Sequence, residues 1–284
     1  MQVILADVYG FCFGVRRAIE IAEEAQCTHG RPVDTLGPLI HNAQETRRLE
    51  NSGVRLAEGI DKLNSEVVII RTHGAPPSTF EQLHTRGLNI IDATCPFVTK
   101  SQRIAANFSS DGYDIVVVGD PNHPEIKGIQ GYCQGRFFVI HDEEELAQLP
   151  DDLRPGLIAQ TTTDEAKFLK IVKIMGNRYA DMRVYNTVCS ATHERQEAAR
   201  KLADLVDAVY VVGGRHSSNT TKLAAVSRES CTKVFLIETA DEINEEDLKD
   251  VQKVGVTAGA STPDWLINQV VERLSVIESK PCIL

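Results

Sequence analysis

The sequence predicts an α/β fold made of three pseudo-threefold-related αβα units with mainly parallel sheets. Short β-branched runs alternate with helical patterns along the 284 residues, and continuously apolar strands of this kind are typical of a parallel sheet that helices cover on both faces. One local pattern, an apolar strand followed by a cysteine and then a helix start, occurs three times. The spacing from these cysteines to later features also repeats, which indicates an internal repeat.

The individual elements follow from hydrophobic periodicity. Strands are predicted where short apolar runs end in glycine or polar residues, and helices where apolar residues recur every three or four positions. The predicted strands are 2–6, 67–70, 88–91, 115–118, 156–159, 182–185, 209–212 and 254–257. The predicted helices are 15–25, 79–86, 100–108, 164–176, 193–206 and 263–277, with a further helical stretch from Thr220.

The repeat is defined by Cys12, Cys95 and Cys189, each of which closes an apolar strand. Cys95 and Cys189 are each followed by a glutamine after 7 residues and by a glycine after 24, and the matching glycine follows Cys12 after 25. Each unit continues with a polar turn and a second strand that ends in a small polar cluster. The third unit lacks a final strand, and the N-terminal strand is expected to take that place. We therefore predict units at 13–95, 96–189 and 190–284, the last completed by residues 1–12.

Three equivalent thiols at equivalent strand ends could meet on the pseudo-threefold axis and hold one metal centre. Thiolates suit zinc or iron–sulfur clusters, and three protein ligands leave one metal position open, which is a catalytic rather than a structural geometry. The alternative is that the three cysteines are independent core residues. The remaining cysteines lack the strand-end context and are predicted to be ordinary buried or surface thiols: Cys27, Cys133, Cys231 and Cys282.

The polar turns at the carboxyl ends of the predicted strands form a candidate ligand site, because ligands of open α/β sheets bind there. These ends contain hydrogen-bond donors with few fixed charges, and the Ser-Ser-Asn segment at 217–219 precedes a helix start, which favours an anion such as a phosphate or diphosphate. The candidate residues are His41, His73, His123, Glu125, Thr161, Thr162, Ser217, Ser218, Asn219 and Ser261.

Each of these residues has a simpler interpretation when it is taken alone. Ser217 could only cap a helix, His73 could be a turn residue, and Glu125 could be solvated. Glu125 is nevertheless the carboxylate at the same depth as the other turn residues, and burial beside a metal could tune it for proton delivery. Asp120 lies nearer its strand end and is predicted to form the turn.

Composition restricts the classes of partner. The formal net charge of −10 argues against nucleic acid, because phosphate backbones require a Lys/Arg surface. No apolar run approaches the length of roughly 18 to 20 residues that a membrane helix requires, so no membrane association is expected. The chain starts directly with a predicted strand and shows no signal-peptide pattern, so a cytoplasmic location is expected.

Nine motifs together resemble those of the 4-hydroxy-3-methylbut-2-enyl diphosphate reductase (IspH/LytB) family, and the resemblance covers essentially the whole chain. Val188 stands where isoleucine would be expected, which is a minor departure. The motifs are GFCFGV at 10–15, GPLIHN at 37–42, RTHG at 71–74, DATCP at 92–96, HPE at 123–125, QTT at 160–162, NTVC at 186–189 (with AT at 191–192 and RQ at 195–196), SSN at 217–219 and GAS at 259–261.

The resemblance implies a trefoil of three α/β lobes around a central [4Fe–4S] cluster, held by Cys12, Cys95 and Cys189 with one open iron that binds the substrate hydroxyl. Glu125, helped by Thr161 and the substrate diphosphate itself, would deliver protons, and His123 is counted with Glu125 and Thr161 as catalytic. Two electrons from a ferredoxin or flavodoxin and two protons would remove the hydroxyl as water through an allyl-type intermediate, giving isopentenyl or dimethylallyl diphosphate in the last step of the non-mevalonate isoprenoid pathway. The residues that the resemblance assigns to the substrate diphosphate are His41, His73, His123, Ser217, Ser218, Asn219 and Ser261.

Two other classes of function fit part of the pattern. A non-redox hydro-lyase would use the same cluster only as a Lewis acid and would turn over without an electron donor. A non-catalytic sensor of a phosphorylated ligand would retain its function when Glu125 is replaced by glutamine. Without the resemblance, the residues indicate a metal-dependent enzyme that acts on a phosphorylated small molecule.

Overall fold

The computed structural model describes residues 1–277, and the prediction for Cys282 lies outside them. The strands are β1 (Gln2–Leu5), β2 (Val33–Leu36), β3 (Val54–Ala57), β4 (Val67–Ile70), β5 (Asn89–Asp92), β6 (Asp114–Val118), β7 (Phe137–Ile140), β8 (Pro155–Ala159), β9 (Arg183–Val184), β10 (Ala208–Val212), β11 (Lys233–Ile237) and β12 (Lys253–Ala258). The α-helices are α1 (Phe13–His29), α2 (Ala43–Asn51), α3 (Pro77–Thr85), α4 (Pro96–Ser110), α5 (Pro124–Gln130), α6 (Glu165–Arg178), α7 (Ser190–Ala203), α8 (Ser218–Ser227) and α9 (Asp264–Ser275).

The described strands form three four-stranded parallel sheets with one common topology. Their orders are β3-β2-β4-β5, β7-β6-β8-β9 and β11-β10-β12-β1. In each sheet the first strand of the repeat is central, the second lies at one edge, and the strand that leads to a cysteine lies at the other edge. The predicted α/β class with three parallel-sheet units is confirmed.

β1 occupies the place that the repeat left open, because it pairs in parallel with β12 and aligns Ile4 with Gly255. The sequence analysis missed one edge strand in each sheet and gave no bounds for β2. These edge strands, β3, β7 and β11, mix buried and partly exposed positions. Hydrophobic periodicity is weak in such short segments.

The chain divides into two compact units by the density of its contacts. One contains Met1–Val15, Ile40–Arg48 and the described residues from Ser190 onward, with the sheet of β10, β11, β12 and β1. The other contains Arg16–Leu39 and Leu49–Cys189, with the remaining two sheets. The three predicted αβα boundaries are a finer division of the chain and stay a prediction.

Helices cover both faces of the sheets, as continuously apolar strands require. In the first unit, Tyr210 of β10 packs in a core with Leu266 of α9, whereas the neighbouring Val209 packs in a separate core with Leu223 of α8. In the second unit, Val116 and Val117 of β6 likewise belong to two different cores. Within residues 1–277, no helix combines the length and the hydropathy needed to cross a membrane.

Several helices begin earlier than predicted. Each of them starts at the residue directly after a cysteine, and in one case that residue is a proline. α1 and α7 start at the residue after Cys12 and Cys189, and α4 starts at Pro96 with Cys95 as its N-cap. Proline is favoured in the first helical turn because its missing N–H would have no partner there. The strand-end cysteines therefore stand at helix N-termini, where the helix dipole stabilises negative charge.

Candidate active site

The three strand-end cysteines are held by equivalent hydrogen bonds. Each backbone N–H donates to the carbonyl two residues beyond the end of the adjacent strand, and each cysteine is partly buried. The pairs are Cys12 with Ala260 after β12 at 3.1 Å, Cys95 with Thr72 after β4 at 3.0 Å, and Cys189 with Thr161 after β8 at 2.9 Å. The repeat seen in the sequence is thus a repeat of backbone geometry within each sheet.

The residue two places before each cysteine is fixed to the same neighbouring strand. Gly10 donates to Ala258 at 3.3 Å, and Ala93 donates to Ile70 at 3.0 Å. In the third copy the Thr187 side chain makes this link, since its Oγ1 donates to the Ala159 carbonyl and accepts from the Ala159 N–H at 2.8 Å. Sequence reasoning missed Thr187, although a polar residue at the position of Gly10 and Ala93 was a signal for it.

Glu125 and Thr161 form a buried hydrogen-bonded pair. Glu125 is 1% exposed, with Oε1 accepting from the Thr161 N–H and Oε2 from the Thr161 hydroxyl, both at 2.7 Å. The α5 helix places the carboxylate here because its N-cap, His123, accepts the Glu125 N–H on Nδ1 at 3.2 Å. The structure therefore brings together the three residues predicted to be catalytic, and Glu125 is not solvated.

His73 and His123 lie side by side in the second compact unit, with ring centroids 5.1 Å apart in an edge-on arrangement. Because His123 Nδ1 accepts a hydrogen bond, the neutral ring carries its proton on Nε2, which is then a donor. Two of the predicted diphosphate ligands are therefore adjacent. The turn that contains His73 is repeated in the other sheets, since Gly74, Thr163 and Thr262 donate their N–H groups to the residue three places earlier.

A second group of predicted ligands lies in the first compact unit, at the start of α8. Ser217 caps the helix by accepting the Thr220 N–H at 3.4 Å, and this contact does not exclude its predicted role as a ligand. Asn219 is 4% exposed, and neither polar atom of its amide has a hydrogen-bond partner within residues 1–277. Ser261 donates its hydroxyl to the His41 carbonyl at 3.1 Å, which places these two predicted ligands together.

Two glycines before Ser217 are required by close backbone packing. Gly213 has φ +147°, and a Cβ there would lie 2.5 Å from Thr262 Oγ1 and 2.8 Å from Thr220 Oγ1. A Cβ on Gly214 would lie 2.7 Å from the His41 carbonyl oxygen. The segment that leads to α8 therefore packs against the backbone of a predicted ligand, with no room for a side chain.

The turn after β6 is held by hydrogen bonds from Gln160, which is fully buried. The sequence analysis included Gln160 in a motif but predicted no role for it. Its Oε1 accepts the Asp120 N–H at 3.0 Å, and its Nε2 donates to Thr162 Oγ1 at 3.0 Å. Asp120 forms the turn, as predicted, by accepting the Asn122 N–H at 2.9 Å. Thr162, one of the candidate polar residues, is therefore part of the support of this turn.

Comparison with known proteins places the whole chain in one family. A family model described as LytB protein matches residues 3–275. The chain belongs to the LytB family. Among curated LytB-family relatives named 4-hydroxy-3-methylbut-2-enyl diphosphate reductase, the protein of Geobacter sp. (strain M21) is 46% identical over 279 residues, which cover 98% of both chains. The proteins of Campylobacter concisus and Aquifex aeolicus are 43% and 42% identical, with coverage of 98% of this chain in both cases and of 100% and 97% of the relatives.

Solved structures of LytB-family relatives share the fold. One, described as (E)-4-hydroxy-3-methyl-but-2-enyl diphosphate reductase, the terminal enzyme of the non-mevalonate pathway, is 41% identical, with a TM-score of 0.71 and coverage of 97% of this chain and 99% of that one. The E-1-hydroxy-2-methyl-but-2-enyl-4-diphosphate reductase from Plasmodium falciparum is 28% identical, with a TM-score of 0.92 and coverage of 96% and 88%.

Proposed function

We propose that this protein is a 4-hydroxy-3-methylbut-2-enyl diphosphate reductase. It removes the hydroxyl of its substrate reductively and forms isopentenyl and dimethylallyl diphosphate, in the terminal step of the non-mevalonate pathway. The observation that supports this most strongly is the full-length match to LytB-family enzymes, which spans every sheet and both compact units.

The enzyme depends on an iron–sulfur cofactor, and we assign Cys12, Cys95 and Cys189 as the ligands of a [4Fe–4S] cluster with one open iron. The donor set fits such a group, because three partly buried thiols stand at equivalent strand ends and each directly precedes a helix. Three thiolates rather than four leave one iron available. When bound, the cluster would pass two electrons from the external donor to the substrate one at a time, and its open iron would be a Lewis acid for the substrate hydroxyl.

Glu125 and Thr161 hold and move the proton. When Glu125 is protonated on Oε2, that oxygen donates to Thr161 Oγ1, and the Thr161 hydroxyl can then donate its own proton onward. The Thr161 N–H keeps Oε1 fixed throughout, which restricts the proton to Oε2. This arrangement gives a carboxylic acid and a hydroxyl relay that can deliver protons without large movement.

The diphosphate is bound by His41, His73, His123, Ser217, Ser218, Asn219 and Ser261. Support comes from the adjacent His73 and His123 rings and from the buried Asn219 amide, whose donor suits an oxygen-rich ligand. Ser218 and Asn219 form the first turn of α8, where backbone N–H groups and the helix dipole favour an anion. Electrons come from a ferredoxin or flavodoxin, and a cytoplasmic location remains a prediction.

The first test is iron and sulfide analysis, with Mössbauer or EPR spectra, of anaerobically purified protein with and without substrate. We expect four irons per chain, one of them perturbed by substrate, and formation of both products when a chemical reductant is supplied. Dehydration in the absence of any reductant would favour a hydro-lyase instead. Zinc, or no metal, after anaerobic reconstitution would contradict the assignment.

A further inference from the structure

Arg195 on α7 is a buried cation that forms hydrogen bonds with the segment leading to Cys12. It is 4% exposed, and both Nε and Nη2 donate to the Gly10 carbonyl, at 3.1 and 2.8 Å, while Nη1 donates to the Ala191 carbonyl at 2.9 Å. Burying a guanidinium costs several kcal/mol before its interactions compensate. An apolar side chain could fill this buried space without that cost, which indicates that the positive charge of Arg195 has a role.

The Arg195 hydrogen bonds complete the restraint of the Cys12 segment. The Gly10 N–H donates to the carbonyl of Ala258, the last residue of β12, and the Cys12 N–H donates to the carbonyl of Ala260, while Arg195 donates to the Gly10 carbonyl. Gly10 has φ +69°, and a Cβ there would lie 3.1 Å from Ile267 Cδ1, so this backbone is also sterically fixed. Cys12 is therefore presented by a segment that Arg195 holds in one conformation.

A cationic side chain also reaches the segment before each of the other two cysteines, from a position one residue earlier in its helix than Arg195. Arg17 is partly buried and Lys100 is exposed. Arg17 on α1 donates from Nη1 to the Thr94 carbonyl, one residue before Cys95, at 3.2 Å. Lys100 on α4 places its Nζ 4.9 Å from the centre of the Tyr185 ring, four residues before Cys189. In each repeat, the helix that follows one cysteine thus directs a positive charge to the segment that precedes another.

We propose that Arg195 is a positioning residue for the Cys12 ligand and that its buried charge stabilises the reduced cluster. The inference rests on the proposed function, because it assumes that Cys12 ligates a cluster. Each electron added to a thiolate-bound cluster adds negative charge, which a nearby buried cation offsets. Removing that cation makes the surroundings of Cys12 less positive, which disfavours reduction.

The test is a mediator-based spectroscopic redox titration of reconstituted Arg195→Gln, Arg195→Lys and parent protein. Arg195→Gln is expected to lower the ratio of reduced to oxidised cluster about tenfold at a fixed potential, which corresponds to about 59 mV for a one-electron couple. Arg195→Lys keeps the charge but not the forked geometry, so its potential should stay near that of the parent while it releases iron to a chelator faster. An unchanged potential in Arg195→Gln overturns the proposal.

Arg200→Gln is the matched control on α7, because Arg200 pairs with the exposed carboxylates of Glu197 and Glu229 and its charge is screened. Its cluster ratio should stay within about twofold of the parent. If Arg195→Gln does not hold a cluster, Arg195→Lys decides the matter, because a potential well below that of the parent in this variant, which retains the charge, overturns the proposal. A parent protein that forms no cluster contradicts the proposed function, whereas a normal cluster with an unshifted Arg195→Gln contradicts only this inference.

Discussion

Glu125 shows how a single carboxylate acquires a function from its position. Its two oxygens accept hydrogen bonds from one residue, Thr161, and its backbone N–H is bound by His123. The polar turns and the residue types of this group could be recognised in the sequence. The burial and the bidentate contact could not, because they depend on α5 and β8 being neighbours in the fold.

Replacement of Glu125 by glutamine should lower kcat by at least about 100-fold, because an amide of the same size cannot release a proton to Thr161. Iron content and the visible spectrum should remain those of the parent. The measurement is steady-state reduction of the substrate under anaerobic conditions, with iron determined on the same samples. Glu144→Gln, at an exposed position, is the control. Turnover of Glu125→Gln within tenfold of the parent would exclude Glu125 as the proton donor.

The Gly213 turn between β10 and α8 is the element that places Ser217, Ser218 and Asn219. Its tight packing against Thr220 and Thr262 was not visible in the sequence, where two successive glycines indicated only a turn. The missed helices α2 and α5 have a similar cause. They are short, with 9 and 7 residues, so each offers few turns over which an apolar stripe could be recognised.

Gly213→Ala should destabilise the protein by about 2–3 kcal/mol, because the strained φ is combined with a clash against two threonine hydroxyls. Gly30→Ala separates these effects, since Gly30 also has a positive φ, +58°, but no atom lies within 4 Å of its Cβ position. The control should lose only about 1–2 kcal/mol, from backbone strain. Thermal unfolding of the apoproteins measures both. Equal losses would show that the close packing at Gly213 has no energetic consequence.

Tyr210 in β10 is a buried aromatic residue whose hydroxyl has no hydrogen-bond partner within residues 1–277. Tyr210→Phe keeps the ring contact with Phe235, at 5.1 Å, and should raise the free energy of unfolding by about 1 kcal/mol.

Burial raises the Tyr210 pKa to about 12, so the unfolded chain loses this proton at lower pH than the folded one. The parent should therefore lose stability between about pH 10 and 12, and Tyr210→Phe should lose less over the same range. A steeper alkaline loss in the variant would contradict this.

Residues 1–277 contain three copies of one sheet order, and that order determines where the cysteines stand. Counting residues between cysteines was sufficient to predict the repeat and the role of the N-terminal strand. It was not sufficient to predict the order of the strands. That order depends on backbone hydrogen bonds between strands, such as those that pair β3 with β2, and these bonds leave no trace in the residue spacing. The equivalent N–H bonds of Cys12, Cys95 and Cys189 are the structural expression of the repeat.

This equivalence predicts that Cys12→Ser, Cys95→Ser and Cys189→Ser have the same consequence, since each removes one of three matched ligands. Each variant should retain the circular dichroism spectrum of the parent apoprotein, fail to hold four irons after anaerobic reconstitution, and lose reductase activity. Cys133→Ser is the control. Burial raises the pKa of the Cys133 thiol to about 12, so that residue remains protonated at neutral pH and is a poor metal ligand. Iron and sulfide analysis of the four variants decides the question. A full cluster in any of the first three variants would remove that cysteine from the ligand set and break the threefold correspondence on which the assignment depends.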